Sequence, residues 1–154
     1  MKTKYIPVLL ITLLGAARIF AADPAPGAAR DVMIEANDTL KFSVTEIDAQ
    51  PGETLHVQLH NGGTLPKQVM GHNWILLKAG KDANGYATAA LSAKDEDYQP
   101  SALAGDVLAS IPLLGPNQTG DATFTLPAAS GTYFYLCSFP GHFQAGMTGK
   151  IVVK

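Results

Sequence analysis

Two stretches of strict alternation constrain the fold of this chain more tightly than any other feature of its sequence. Leu40, Phe42 and Val44 alternate with Lys41, Ser43 and Thr45, and Leu55, Val57 and Leu59 alternate with His56, Gln58 and His60. An extended backbone sends successive side chains to opposite faces, so a period of two reads as strands with one buried face. Residues 31–35, 73–77, 107–111, 122–126, 132–136 and 149–153 add further runs of strand length. Turn chemistry separates them: Gln50-Pro51-Gly52, Asn61-Gly62-Gly63, Gly115-Pro116-Asn117 and Ala129-Ser130-Gly131. About eight short strands punctuated by Gly and Pro predict an all-β, Greek-key sandwich. One connection breaks the rhythm. Residues 80–106 carry an Ala-rich piece, 87–93, then Asp95-Glu96-Asp97-Tyr98 and Pro100, and predict a short helical flap.

The length of the chain, 154 residues with 47% hydrophobic and 16% charged, suits one such domain. Its first residues belong to something else. Lys2 and Lys4 precede an apolar run over residues 5–14, and small residues follow at 15–17 and 21–22. This layout predicts a secretory signal peptide over residues 1–22. The run is about ten residues against the roughly 20 that cross a bilayer, so no transmembrane span is expected in the mature chain. Residues 23–30, Asp-Pro-Ala-Pro-Gly-Ala-Ala-Arg, read as a flexible tether to a domain over 31–154. Removing residues 1–22 takes away Lys2, Lys4 and Arg18 and no acid, which moves the formal charge from −2 to −5. An acidic domain is not a nucleic-acid binder, which needs a basic face.

Export makes the single cysteine, Cys137, chemically awkward. It cannot form an intramolecular disulfide or a four-cysteine zinc site, and a lone thiol in an oxidising compartment is oxidised unless something holds it. The segment Cys137-Ser138-Phe139-Pro140-Gly141-His142-Phe143-Gln144-Ala145-Gly146-Met147 supplies an explanation. Thiolate, imidazole and thioether recur at intervals of five between two strands, so one folded loop can aim all three at a point. With a second imidazole they make the donor set of a blue-copper electron-transfer centre. His72, at the start of a strand, is the candidate. His56 and His60 lie on the solvent side of one strand about 13 Å apart, too far to share an ion. Trp74 reads as core.

These residues carry a family resemblance. Leu65-Pro66-Lys67-Gln68-Val69-Met70-Gly71-His72-Asn73-Trp74 resembles the first-ligand segment of azurins, and the Cys137–Met147 loop resembles the auracyanin form. The chain is thus similar to the small blue-copper cupredoxins over residues 31–154. The resemblance implies a cupredoxin-like sandwich and one type 1 copper ion, with His72, Cys137 and His142 as equatorial ligands and Met147 as the axial one. It implies further that Gly71 presents its carbonyl on the opposite axis. The backbone N–H of Asn73 would donate to the Cys137 sulfur, and its side chain would tie the ligand loops together through Ser138. Three departures from azurins stand out. The azurin disulfide has no second cysteine here, so about 3 kcal/mol of chain-entropy stabilisation is missing. The buried non-ligand histidine of azurins falls at Asn61, and the loop from His142 to Met147 is one residue longer.

The expected function is an exported, periplasmic carrier of single electrons and not an enzyme. Its partners would be redox proteins such as c-type cytochromes or a copper or haem reductase or oxidase. They would dock at an apolar patch around His142 formed by Leu65, Met70 and Phe143. A copper-storage or delivery protein, the alternative, would want exposed sites rich in Met and His. A copper oxidase or nitrite reductase domain would need additional His ligands that His56 and His60 do not supply.

Overall fold

The computed structural model describes residues 28–154. Residues 1–27, on which the expected leader and most of the expected tether fall, lie outside the described residues, and the first strand already takes in Arg30. The elements follow in the order β1 (Arg30–Ala36), β2 (Glu46–Ala49), β3 (Thr54–Asn61), α1 (Lys67–Met70), β4 (His72–Leu77), α2 (Ala83–Ala90), β5 (Val107–Leu114), β6 (Thr119–Thr125), β7 (Gly131–Leu136) and β8 (Thr148–Val153). Two 3-10 segments, Lys94–Glu96 and Ser101–Asp106, lie between α2 and β5.

One sheet has the order β1-β3-β6 and the other β2-β8-β7-β4-β5. Consecutive strands β1 and β2 sit in different sheets, and each runs parallel to its neighbour, β1 along β3 and β2 along β8. The chain therefore crosses between layers instead of closing a hairpin, and the expected eight-stranded, all-β sandwich forms. Alternation does what it predicts in β3: Leu55, Val57 and Leu59 are buried in the core between the sheets, and His56 and His60 face outward.

The other alternating stretch does not form a strand. Phe42 makes only an isolated bridge to Ala36. Upstream, Thr39 N–H donates to the Asn37 side chain at 2.9 Å and Leu40 takes a left-handed φ of 59°, so the chain reverses and doubles back on the end of β1. Phe42 is buried all the same, which is what the alternation recorded. The eighth strand is β2, whose Ile47 and Ala49 are buried between exposed Glu46 and Asp48.

In β4, buried throughout, the periodicity disappears for a structural reason. Trp74 and Leu76 face the inter-sheet core, while Ile75 and Leu77 pack with Leu136 against Tyr86 and Ala87 of α2. The flap covers the outer face of the sheet. Its helix begins four residues before the expected Ala87, because Asp82 caps it by accepting from Asn84 N–H at 3.0 Å. β5 runs past the expected residue 111 through Pro112 to Leu114. It is an edge strand, where the missing N–H of proline is tolerated.

Candidate metal centre

His72 enters the site from β4 and Cys137 from the residue after β7, and these two strands are hydrogen-bonded neighbours. Strand pairing thus fixes two donors that lie 65 residues apart. The approach to His72 is tight. At Gly71 φ is an ordinary −67°, but a Cβ would come within 2.6 Å of the Lys67 carbonyl and 2.9 Å of Leu113 Cγ. Glycine is required there because α1 and β5 crowd the backbone.

The Cys137–Met147 loop closes on itself. Cys137 N–H donates to the Met147 carbonyl at 3.1 Å, Met147 N–H to the His142 carbonyl at 2.9 Å and His142 N–H to the Phe139 carbonyl at 3.1 Å. Gly141 and Gly146 supply the positive φ values, 84° and 90°, that these tight turns demand. Lys41 reaches across from the 40–45 segment to donate to the Ala145 carbonyl.

Three of the expected donors meet. One ring nitrogen of His72, Cys137 Sγ and one ring nitrogen of His142 all lie within 4.8 Å of one another, and all three residues are buried. Cys137 Sγ is 3.3 Å from His142 Nδ1, and the two imidazole centroids are 5.0 Å apart. Met147 is fully buried in the same loop. His56 and His60 are elsewhere. His56 bonds Asp31 at 2.8 Å on the outer sheet face, and His60 bonds Thr119 at 3.0 Å.

Both ring nitrogens of His72 are buried without a hydrogen-bond partner. Leaving a buried polar atom unpaired costs about 1–3 kcal/mol, so such an imidazole suits a metal ion better than a merely structural role. Protonation states agree with this. Burial holds the His72 pKa below the ordinary histidine value and, together with the neighbouring His72, pushes His142 down to about 4, so both lone pairs are free near neutrality. Burial pushes the Cys137 thiol up to about 12, opposed by the backbone N–H groups of Asn73 and Phe139. A thiophilic cation would displace that proton. Two imidazoles and a thiolate, with a buried methionine closing the same loop, fit copper.

Asn73 ties the two ligand loops together through Ser138, as the resemblance implied. Its Oδ1 accepts from Ser138 N–H at 2.8 Å, and its Nδ2 donates to Ser138 Oγ at 2.8 Å and to the Asp97 carbonyl at 3.2 Å. At Asn61 the buried amide donates to the Leu114 carbonyl and accepts from Gly63 N–H, a pairing that carries no titratable proton. Sequence reasoning missed Phe139, whose ring lies 4.7 Å from that of His142. An aromatic residue two positions after the cysteine, in a loop otherwise rich in small residues, was the available signal. Of the residues expected to form the apolar patch, Leu65 is exposed and Met70 half-buried. Phe143 is half-buried and packs with the Ile75, Leu77 and Leu136 cluster under the flap, while Leu65 and Val69 are exposed at 40% and 59%.

A family profile described as copper binding proteins, plastocyanin/azurin family, matches residues 28–154. The chain is 39% identical over 118 residues to auracyanin-A of Chloroflexus aurantiacus, covering 76% of this chain and 69% of that one. It is 36% identical over 129 residues to an azurin of Pseudomonas chlororaphis, covering 80% and 97% respectively. Among solved structures, auracyanin A, described as a "blue" copper protein, superposes with a TM-score of 0.72 and 35% identity, over 82% of this chain and all of the other.

Proposed function

The chain belongs to the plastocyanin/azurin family of copper-binding proteins, and from that premise we propose that it is an exported carrier of single electrons. The observation that carries this reading is the buried convergence of His72, Cys137 and His142 in a frame closed by hydrogen bonds. On this reading His72, Cys137 and His142 would hold the copper, with the Met147 thioether and, more weakly, the Gly71 carbonyl as further donors. Copper held there supplies one-electron redox chemistry by cycling between its +1 and +2 states.

The protein's own contribution is rigidity. The β4–β7 pairing fixes His72 and Cys137, and the Cys137–Met147 and His142–Met147 backbone bonds fix the loop. The Asn73 N–H directed at Sγ withdraws charge from the thiolate and helps set the potential. Two redox states that share one geometry exchange electrons with little reorganisation.

Electrons would pass through His142 to redox proteins such as c-type cytochromes or a copper or haem reductase or oxidase. These would dock on an apolar surface around His142 that takes in Leu65, Val69, Met70 and the half-buried Phe143. Weak docking of this sort suits a shuttle. Export to the periplasm rests on the charged and apolar pattern of residues 1–22.

Purified with Cu(II), the protein should show an intense blue thiolate-to-copper band that bleaches on adding a reductant. Cys137→Ser should abolish the band and His56→Ala should keep it. A colourless protein with stoichiometric copper overturns the reading.

A further inference from the structure

Asp97 and Tyr98, between the two 3-10 segments of the flap, are consecutive non-glycine residues with left-handed φ values of 52° and 60°. Such residues adopt that conformation only where their surroundings over-determine it. Here the surroundings are the metal site. The Asp97 carbonyl accepts from Asn73 Nδ2 at 3.2 Å and the Tyr98 carbonyl from Ser138 Oγ at 2.6 Å. The Tyr98 ring meets Phe139 edge-on with centroids 5.0 Å apart, and Phe139 lies 4.7 Å from His142. On the other side, Tyr98 N–H donates to the Ala93 carbonyl at 2.9 Å and the Asp97 carboxylate pairs with Lys67 of α1 at 3.2 Å. Two adjacent carbonyls turned inward on the same network require the unusual backbone.

We propose that Asp97 and Tyr98 are positioning residues for the metal centre. Their carbonyls and the Tyr98 ring hold Asn73, Ser138 and Phe139, so the flap completes the frame that sets Cys137 and His142. Without this segment, Ser138 Oγ and one Asn73 amide hydrogen lose their part-buried partners and Phe139 loses the ring that backs it against His142. The flap thereby acts on a centre to which it gives no ligand. The inference rests on the copper reading only where the loaded protein is measured.

Hydrogen exchange in the metal-free protein tests the brace directly. The reporters are Ser138 N–H, bonded to Asn73, and His142 N–H, bonded to Phe139. Tyr98→Ala should speed exchange at both by about tenfold or more, whereas Tyr98→Phe, which keeps the ring, should leave them as in the wild type. Tyr98→Leu keeps apolar bulk and should show the same direction as the alanine variant if that variant folds poorly. Asp82→Ala uncaps α2 at the far end of the flap and should lower stability without moving either reporter. In the copper-loaded protein, Tyr98→Ala should shift the reduction potential and the blue band, and Tyr98→Phe should restore both. Unchanged reporters and potential in Tyr98→Ala overturn the proposal, as does an equal response to Asp82→Ala. A wild type that never turns blue defeats the copper reading, and the exchange data then decide the brace alone.

Discussion

Asp31 and Asp121 flank His56 on the outer face of the three-stranded sheet, at 2.8 and 3.4 Å, and the hydrogen bond to Asp31 is the main cause of its raised pKa. A pKa raised by folding contributes stability that is complete below the ordinary value of 6.5 and is lost as pH climbs through the folded value. His56→Gln should therefore lower the urea midpoint near pH 5.5 and change it little near pH 8.5; equal losses at both would point to packing instead of charge. Buried donors obey the opposite balance. With His142 down at about 4 and the Cys137 thiol up at about 12, the site near neutrality holds neutral imidazoles and one removable proton, on Sγ. Binding of copper(I) should release one proton per ion, and the apparent affinity should rise about tenfold per pH unit between about pH 5.5 and 8. Titration in weak buffer measures the release, and a value near zero would mean that the thiolate is already formed in the metal-free protein.

At the scale of elements, what was legible depended on how many faces an element buries. β3 has one wet face and announced itself by alternation, and β6, β7 and β8 followed within three residues of their expected bounds. The 40–45 segment carried the same alternation and folded otherwise, because Phe42 needs burial but not a paired backbone to achieve it. The Ala-rich piece marked only the second half of α2, whose first turn, behind the cap Asp82, contains Gly85. The glycine has a steric reason, since a Cβ there would lie 2.7 Å from the capping carboxylate. Gly71 marks the joint between α1 and β4. Gly71→Ala should cost about 1–3 kcal/mol in chemical denaturation, the usual penalty for overpacking a tight site. It should also weaken copper binding by displacing His72, and a stable variant of normal affinity would show that α1 can yield.

Over the whole molecule, the site lies where two layers, one loop and the flap meet, and the surface beside it carries exposed Leu65 and Val69. Val69→Asp should slow electron exchange with a c-type cytochrome several-fold while leaving the copper spectrum unchanged, measured by stopped flow; unaffected rates would move docking to another face. Phe143 is unsuited to this test, because its packing under the flap would mix docking with folding. By itself the sequence determined the chemistry: a single thiol, an imidazole and a thioether at intervals of five in one loop, with a second imidazole at the head of a strand. Donor type and loop spacing are local properties, readable without the fold. Only the tertiary structure decided that β4 lies beside β7, that Phe143 turns under the flap and that Asp97 and Tyr98 bend backward to hold Asn73 and Ser138. Those contacts join residues far apart in the chain, and they arise from the shared need to bury apolar faces and pair buried polar groups, which no single segment records.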